Sequence, residues 1–87
     1  MFTIIIKNVY LEYDYTEKIQ NFINKNTCLE LKRIFSSFGR ILDDDYGIDS
    51  YNSIIFEYKT EKQCKNAIKE MNGKLYRGLI LEVKMQN

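Results

Sequence analysis

The chain has 87 residues, with thirteen Lys and Arg against twelve Asp and Glu, a formal net charge of +1, and 45% hydrophobic and 14% aromatic residues. That is enough apolar material for one core, so the composition predicts a single folded domain over residues 1–87 and excludes a disordered chain. The near balance of charge excludes the overall basic excess with which a dedicated duplex-DNA binder neutralises phosphates, so any nucleic-acid contact has to come from local patches.

There is no histidine, Cys28 and Cys64 are the only cysteines, and no CxxC pair exists. Zinc and iron–sulfur sites thus lack their ligands, no metal or cofactor is expected, and two buried free thiols are the simpler reading. General acid–base and nucleophilic chemistry lack their usual parts too: there is no phosphate-cradling GxxxxGK[ST], no nucleophile elbow and no carboxylate pair at a telling spacing, so the chain does not read as an enzyme. The start, MFTIIIKNVY, is too short an apolar run for a signal peptide, and no stretch reaches membrane-spanning length. A soluble, intracellular protein without a membrane partner or a small-molecule substrate is the expectation.

In chain order, residues 3–9 (TIIIKNV) are a β-branched run with Ile4 and Ile6 on one face and Ile5 and Lys7 on the other. This predicts a first strand, central because it is apolar on both sides. Residues 10–27 turn polar and then carry Ile19, Phe22 and Ile23 at helical spacing, with Asp14 and Glu17 as cap and third-residue partner, which predicts a short helix or helical lead-in. Thr27 and Glu30 repeat the capping-box spacing before Leu31, Ile34, Phe35 and Phe38 at i, i+3, i+4 and i+7. That is an amphipathic helix, ended by Gly39 in the manner of a left-handed terminator. The two helical pieces read equally as one kinked helix or as two.

Ile41 and Leu42 open a second strand that runs into Asp43, Asp44, Asp45 and Tyr46, a poor strand sequence best placed at a sheet edge, and residues 47–52 have the composition of a turn. Residues 51–58 (YNSIIFEY) are a third strand in which Ile54, Phe56 and Tyr58 face the core and Tyr51, Ser53, Ile55 and Glu57 the other side. After Thr60 a helix lines up Cys64, Ala67, Ile68 and Met71, with Lys62, Lys65, Lys69 and Glu70 outside and Asn72-Gly73 as its stop. Residues 79–85 (LILEVKM) form the last strand, Leu81 and Val83 inward and Ile80, Glu82 and Lys84 outward. The predicted order is β-α-β-β-α-β, an α+β sandwich whose two helices cover one sheet face and leave the other open. The Asp43–Asp45 run reads as a solvated edge that blocks aggregation, since no calcium-loop pattern accompanies it, and Tyr10, Tyr13 and Tyr15 read as packing of the link or as an aromatic surface.

These segments resemble the RNA recognition motif (RRM) family over nearly the whole chain. IIIKNV at 4–9 resembles the family's first-strand hexamer, LKRIFSSFGRI at 31–41 its first helix and following turn, YNSIIFEY its third-strand octamer, and CKNAIKEMNGKLYRGLILEV at 64–83 its second helix, Asn-Gly turn and final strand. The resemblance implies a ferredoxin-like sandwich with a four-stranded antiparallel sheet, plus a lengthened link or extra helical turn before the first long helix. It also implies single-stranded RNA across the open sheet, with aromatic rings at three positions stacking on bases. Those positions here hold Ile5, Ser53 and Ile55, and the octamer's usual basic residue and glycine are Tyr51 and Asn52. Each missing stack removes about 1–3 kcal/mol. The resemblance therefore implies a non-standard RNA platform of Ile5, Lys7, Tyr51, Ser53, Ile55 and Lys84, on a face that also carries Glu57 and Glu82.

The chain is also similar to the peptide-binding RRM subfamily of splicing factors, which lacks sheet aromatics and grips a tryptophan-bearing segment through an Arg-x-Phe after the second helix. At the matching place stand Lys74, Leu75 and Tyr76, and Glu30 matches a carboxylate of that subfamily's acidic first helix. Lys lacks the planar fork that Arg uses for bidentate contacts. Two functions are thus in view, both non-catalytic and both within nuclear RNA processing such as mRNA splicing. The first is atypical binding of single-stranded RNA; the alternative is binding of a peptide or protein partner of an RNA-processing complex through Glu30 and residues 74–76.

Overall fold

The computed structural model describes residues 2–9, 17–42, 47–50 and 53–86, with the side chains of 2–9, 25–42 and 53–86. Its elements are β1 (Phe2–Lys7), α1 (Glu17–Phe35), a 3₁₀ turn (Ser36–Phe38), β2 (Gly47–Ser50), β3 (Ser53–Tyr58), α2 (Glu61–Met71), β4 (Leu75–Tyr76), β5 (Leu79–Ile80) and β6 (Glu82–Gln86). The main sheet runs β2-β3-β1-β6, with antiparallel pairing throughout, and β4 and β5 form a separate two-stranded ribbon.

Alternation along the strands explains the layering. Ile4, Ile6, Ile54, Phe56, Tyr58 and Val83 are all at most 2% exposed and meet Leu31 and Phe35 of α1 and Cys64 and Ala67 of α2 in one core. Both helices therefore lie on the same face of the sheet. The Phe35 ring centroid is 5.8 Å from that of Phe56, and the buried Tyr58 hydroxyl donates to the Phe35 carbonyl at 2.7 Å. That carbonyl is one of the last four of α1 and has no partner within the helix, so the β3 side chain closes the helix end. Burial, then the neighbouring Cys64, pushes the Tyr58 hydroxyl's pKa well above its usual range, keeping it a donor. Cys28 and Cys64 are free and buried, and burial raises Cys28 to about 11.

Three local expectations are corrected or resolved. The two helical pieces are one continuous helix, Glu17–Phe35, and Thr27 is not a cap but a fully buried residue in its middle. The second strand does not occupy 41–46. Ile41 and Leu42 carry no strand, Ile41 packs in the core, and Leu42 makes one ladder-like bond, its N–H donating to the Glu57 carbonyl at 3.0 Å. The strand is Gly47–Ser50, where turn composition predicted a loop. It pairs Gly47 with Ile55 and Ile48 with Ile54, the register shifting before Ser50 meets Ser53, so pairing to a strong neighbour overrides weak intrinsic preference. Asp43 to Tyr46, Tyr51, Asn52, Asp14 and the three link tyrosines lie outside the described residues.

The final strand is split as well: Leu79 and Ile80 pair back onto Leu75 and Tyr76, and only Glu82–Gln86 joins the main sheet. Between β4 and β5 stand Arg77 at φ 50° and Gly78 at φ 83°. Two successive positive φ values are those of the two-residue hairpin turn whose twist matches its strands.

Gly39 ends the 3₁₀ turn at φ 156° and ψ 159°, an extended positive-φ conformation open to glycine and different from the left-handed helical one expected. A Cβ there would come within 2.6 Å of the Gln63 side chain. Gln63 is held in a capping box at the start of α2, its Oε1 accepting from Thr60 N while its own N–H donates to Thr60 Oγ1, both at 3.2 Å. Gly39→Ala should therefore cost about 1–3 kcal/mol through backbone strain and the displaced cap. Thermal denaturation checks it, a melting temperature within a degree of the parent contradicting the role given to Gly39. Tyr58→Phe, which removes the buried hydroxyl's bond to the Phe35 carbonyl, is expected to lose about 0.5–1.5 kcal/mol. For a domain of this size that lowers Tm by about 4–8 °C per kcal/mol.

Candidate nucleic-acid interface

The register of β1 with its two neighbours arranges the face turned away from the helices as rungs. Ser53, Lys7 and Glu82 form one rung, Ile55, Ile5 and Lys84 the next, and Glu57, Thr3 and Gln86 a third. The structure thus brings Ile5, Lys7, Ser53, Ile55 and Lys84 together, while Tyr51 lies outside the described residues. They are not equally accessible. Ile5 is 5% and Ser53 4% exposed, whereas Lys7 and Ile55 are half-buried and Lys84 is exposed. Two of the three places where a stacking ring would sit are closed, so contact with a ligand falls to the flanking side chains.

Charge on these rungs is mixed. Glu82 stands across from Lys7, and its Oε1 is 3.9 Å from the Lys84 ammonium. An exposed pair at that distance contributes little stability, and the carboxylate weakens what the neighbouring lysines offer a phosphate. Glu57 adds a second carboxylate on β3.

The residues singled out for peptide capture meet differently. Tyr76 is 8% exposed and its hydroxyl donates to Glu30 Oε1 at 2.6 Å; Arg77 Nη2 donates to Glu30 Oε2 at 3.1 Å and Arg77 Nη1 to Thr27 Oγ1 at 2.8 Å. The Arg77 guanidinium also lies 5.4 Å from the Tyr76 ring centroid. Thr27 and Glu30, one turn apart on α1, thus clasp the β4–β5 hairpin. The Tyr76 bond, then Arg77, holds the Glu30 carboxyl below the usual carboxylate range, and burial followed by the Glu30 bond raises the Tyr76 hydroxyl. Lys74 is exposed and Leu75, at 72%, fully so. The carboxylate and the ring that a peptide grip would need are engaged with each other.

Sequence reasoning offers Arg77, with Lys59, Lys74 and Arg40, as a loop candidate for RNA contact and misses its pairing with Glu30 and Thr27, although Arg-Gly between the apolar pairs Leu75-Tyr76 and Leu79-Ile80 has the form of a two-residue hairpin.

A four-stranded antiparallel sheet in the order β2-β3-β1-β6 with both helices on one face defines an α+β sandwich whose other sheet face is not covered by a helix among the described residues. The family model of the RNA recognition motif matches residues 4–82, and the chain belongs to that family. Among solved structures it is similar to the RRM domain of S. pombe Puf1, with a TM-score of 0.67 and 12% identity over 99% of this chain and 89% of that one. It is also similar to the RRM3 domain of Mip6, with a TM-score of 0.60 and 23% identity over 97% and 91%. No curated protein matches the chain. Domains of this family are generally non-catalytic RNA-binding modules.

The clasp has a pH signature. Because Glu30 titrates lower in the folded state than in the unfolded one, its contribution is present above the unfolded pKa and is lost as pH falls through that value towards the folded one. Tyr76→Phe should thus cost about 1 kcal/mol at pH 7, discounted for the exposure of Glu30, and progressively less as the pH falls below the unfolded value of about 4.3. Melting curves of parent and variant across that range check it; a pH-independent gap would remove Glu30 from the account.

Proposed function

We propose that this chain binds single-stranded RNA in a non-standard way, as one module of a nuclear RNA-processing protein. The observation that carries the reading is the register that puts Lys7, Ile55 and Lys84 on adjacent strands of the helix-free face, a mixed aliphatic and cationic surface within a fold of the RRM family. Without aromatic rings, affinity comes from phosphate contacts and aliphatic packing more than from stacking, so sequence preference is weak and salt dependence strong.

A protein partner in the same processing context is the second reading. It is favoured by one observation: Leu75 and Ile80, cross-strand partners in the β4–β5 hairpin, are 72% and 60% exposed. An exposed apolar pair outside the core fits a contact with protein better than one with a phosphate chain.

The test is an amide NMR titration of the labelled domain with single-stranded RNA of random sequence, at low and near-physiological salt. Shifts are expected at Lys7, Ile55 and Lys84, and Ile55→Asp should remove them while the rest of the spectrum stays folded. Shifts confined to Leu75, Leu79 and Ile80 upon adding candidate partner proteins, with none from RNA, would replace the first reading by the second.

A further inference from the structure

Of the twelve acidic residues, seven fall within residues 12–17 and 43–49, so the rest of the chain is strongly basic despite the overall balance. That excess is concentrated on the helix layer. Residues 59–74 carry Lys59, Lys62, Lys65, Lys69 and Lys74, all exposed, against Glu61 and Glu70. Lys62, Lys65 and Lys69 follow the i, i+3, i+7 spacing of one face of α2, spanning about 10 Å along its axis. Within this stretch only Lys65 is in an ion pair among the described residues, with Glu61 at 2.8 Å, an interaction that also raises its pKa. The inner side of α2 packs over β6 and β1, away from β2 at the opposite edge of the sheet.

We infer that the outward face of α2 is the phosphate-binding track of this domain, taking the backbone of single-stranded RNA along Lys59, Lys62, Lys69 and Lys74. The inference rests on the RNA-binding reading above and relocates its main electrostatic contact from the sheet to the helix layer. Charge complementarity selects the occupant. Four exposed lysines on and around α2, without carboxylate partners among the described residues, are matched by an evenly charged polyanion, while of the two sheet lysines Lys84 lies 3.9 Å from Glu82 and Lys7 stands across from it. Lysine, a point charge on a flexible stem, suits a contact that follows phosphates without reading bases.

Fluorescence anisotropy with a labelled single-stranded RNA of random sequence, followed from about 50 to 200 mM salt, tests this with three proteins. For four phosphate contacts the logarithm of affinity falls with a slope of about −2.8 against the logarithm of salt, a loss of about 50-fold over that range. Lys62→Gln/Lys69→Gln replaces exposed residues with one of similar helix propensity and should leave melting unchanged. Its slope should fall to about −1.4, a loss of only about 7-fold over the same range, from a weaker starting affinity. Lys7→Gln/Lys84→Gln should change the slope less. If the α2 variant keeps the parent slope and the sheet variant loses it, the inference falls and the RNA-binding reading stands. If the parent shows no binding at the lowest salt, both fall. Binding to phosphatidylserine vesicles that needs Lys62 and Lys69, without RNA binding, would assign the face to a membrane surface and overturn the proposal.

Discussion

Strand β1 is paired on both sides, to β3 and to β6, and its Ile4, Ile5 and Ile6 are all at most 5% exposed. A strand buried on both faces has no freedom of register, because a slip of one residue would turn its whole core set outward. From this constraint much of the molecule follows. Ile54 and Phe56 are fixed opposite Ile6 and Ile4, which brings Phe56 against Phe35 and puts Tyr58 within reach of the end of α1. On the other face the same register sets Lys7 between Ser53 and Glu82 and Ile5 between Ile55 and Lys84. What the domain can present to a ligand there is a by-product of how its centre is packed.

The clasp between α1 and the β4–β5 hairpin shows how a local signal is reused at a distance. Thr27 and Glu30 have the spacing of a capping box, yet the helix runs through them from Glu17 to Phe35. Their oxygens instead receive Arg77 and Tyr76 from forty-six to fifty residues further along the chain. A Thr in mid-helix is poorly suited by propensity, but its hydroxyl is buried and bonded, which removes the usual objection to it. The guanidinium in turn holds Arg77 at a left-handed φ that a non-glycine residue adopts only at a cost. Side-chain bonding and hairpin geometry support each other here, and the bonding is not visible from a window of ten residues.

The parts of the fold legible in sequence were those fixed by period. The alternation in residues 3–9 and 51–58 and the helical spacing of Cys64, Ala67, Ile68 and Met71 identified the layers and the core, and Leu81 and Val83 were correctly inward. What failed was set by partners. Residues 47–50 form a strand because β3 offers a free edge, although Gly, Asp and Ser argue for a turn. The final strand is divided because Leu81 interrupts it, its N–H donating to the Lys74 carbonyl and its carbonyl accepting from Gly73. The site was legible to the same degree. Alternation identified which side chains share the outer sheet face, but the burial of Ile5 and Ser53 depends on what surrounds them, and spacing does not report that.

The loss of aromatic positions and the placement of charge are two sides of one physical problem. A domain that stacks bases on three rings gains about 1–3 kcal/mol from each and needs few phosphate contacts. With Ile5, Ser53 and Ile55 in those places, and Glu82 beside both sheet lysines, that source of affinity is gone and Lys7, Ile55 and Lys84 replace only a part of it. Phosphate contacts are the other large term in binding single strands, and they are additive, salt-sensitive and indifferent to base identity. They require only cations spaced along a surface that core packing leaves alone. The outward face of α2 meets that requirement because its inner face, through Cys64 and Ala67, already anchors the helix to the sheet. Substitutions there alter charge without altering the core, so the helix layer can acquire phosphate contacts more freely than the sheet, whose Ile5 and Ser53 are fixed by packing.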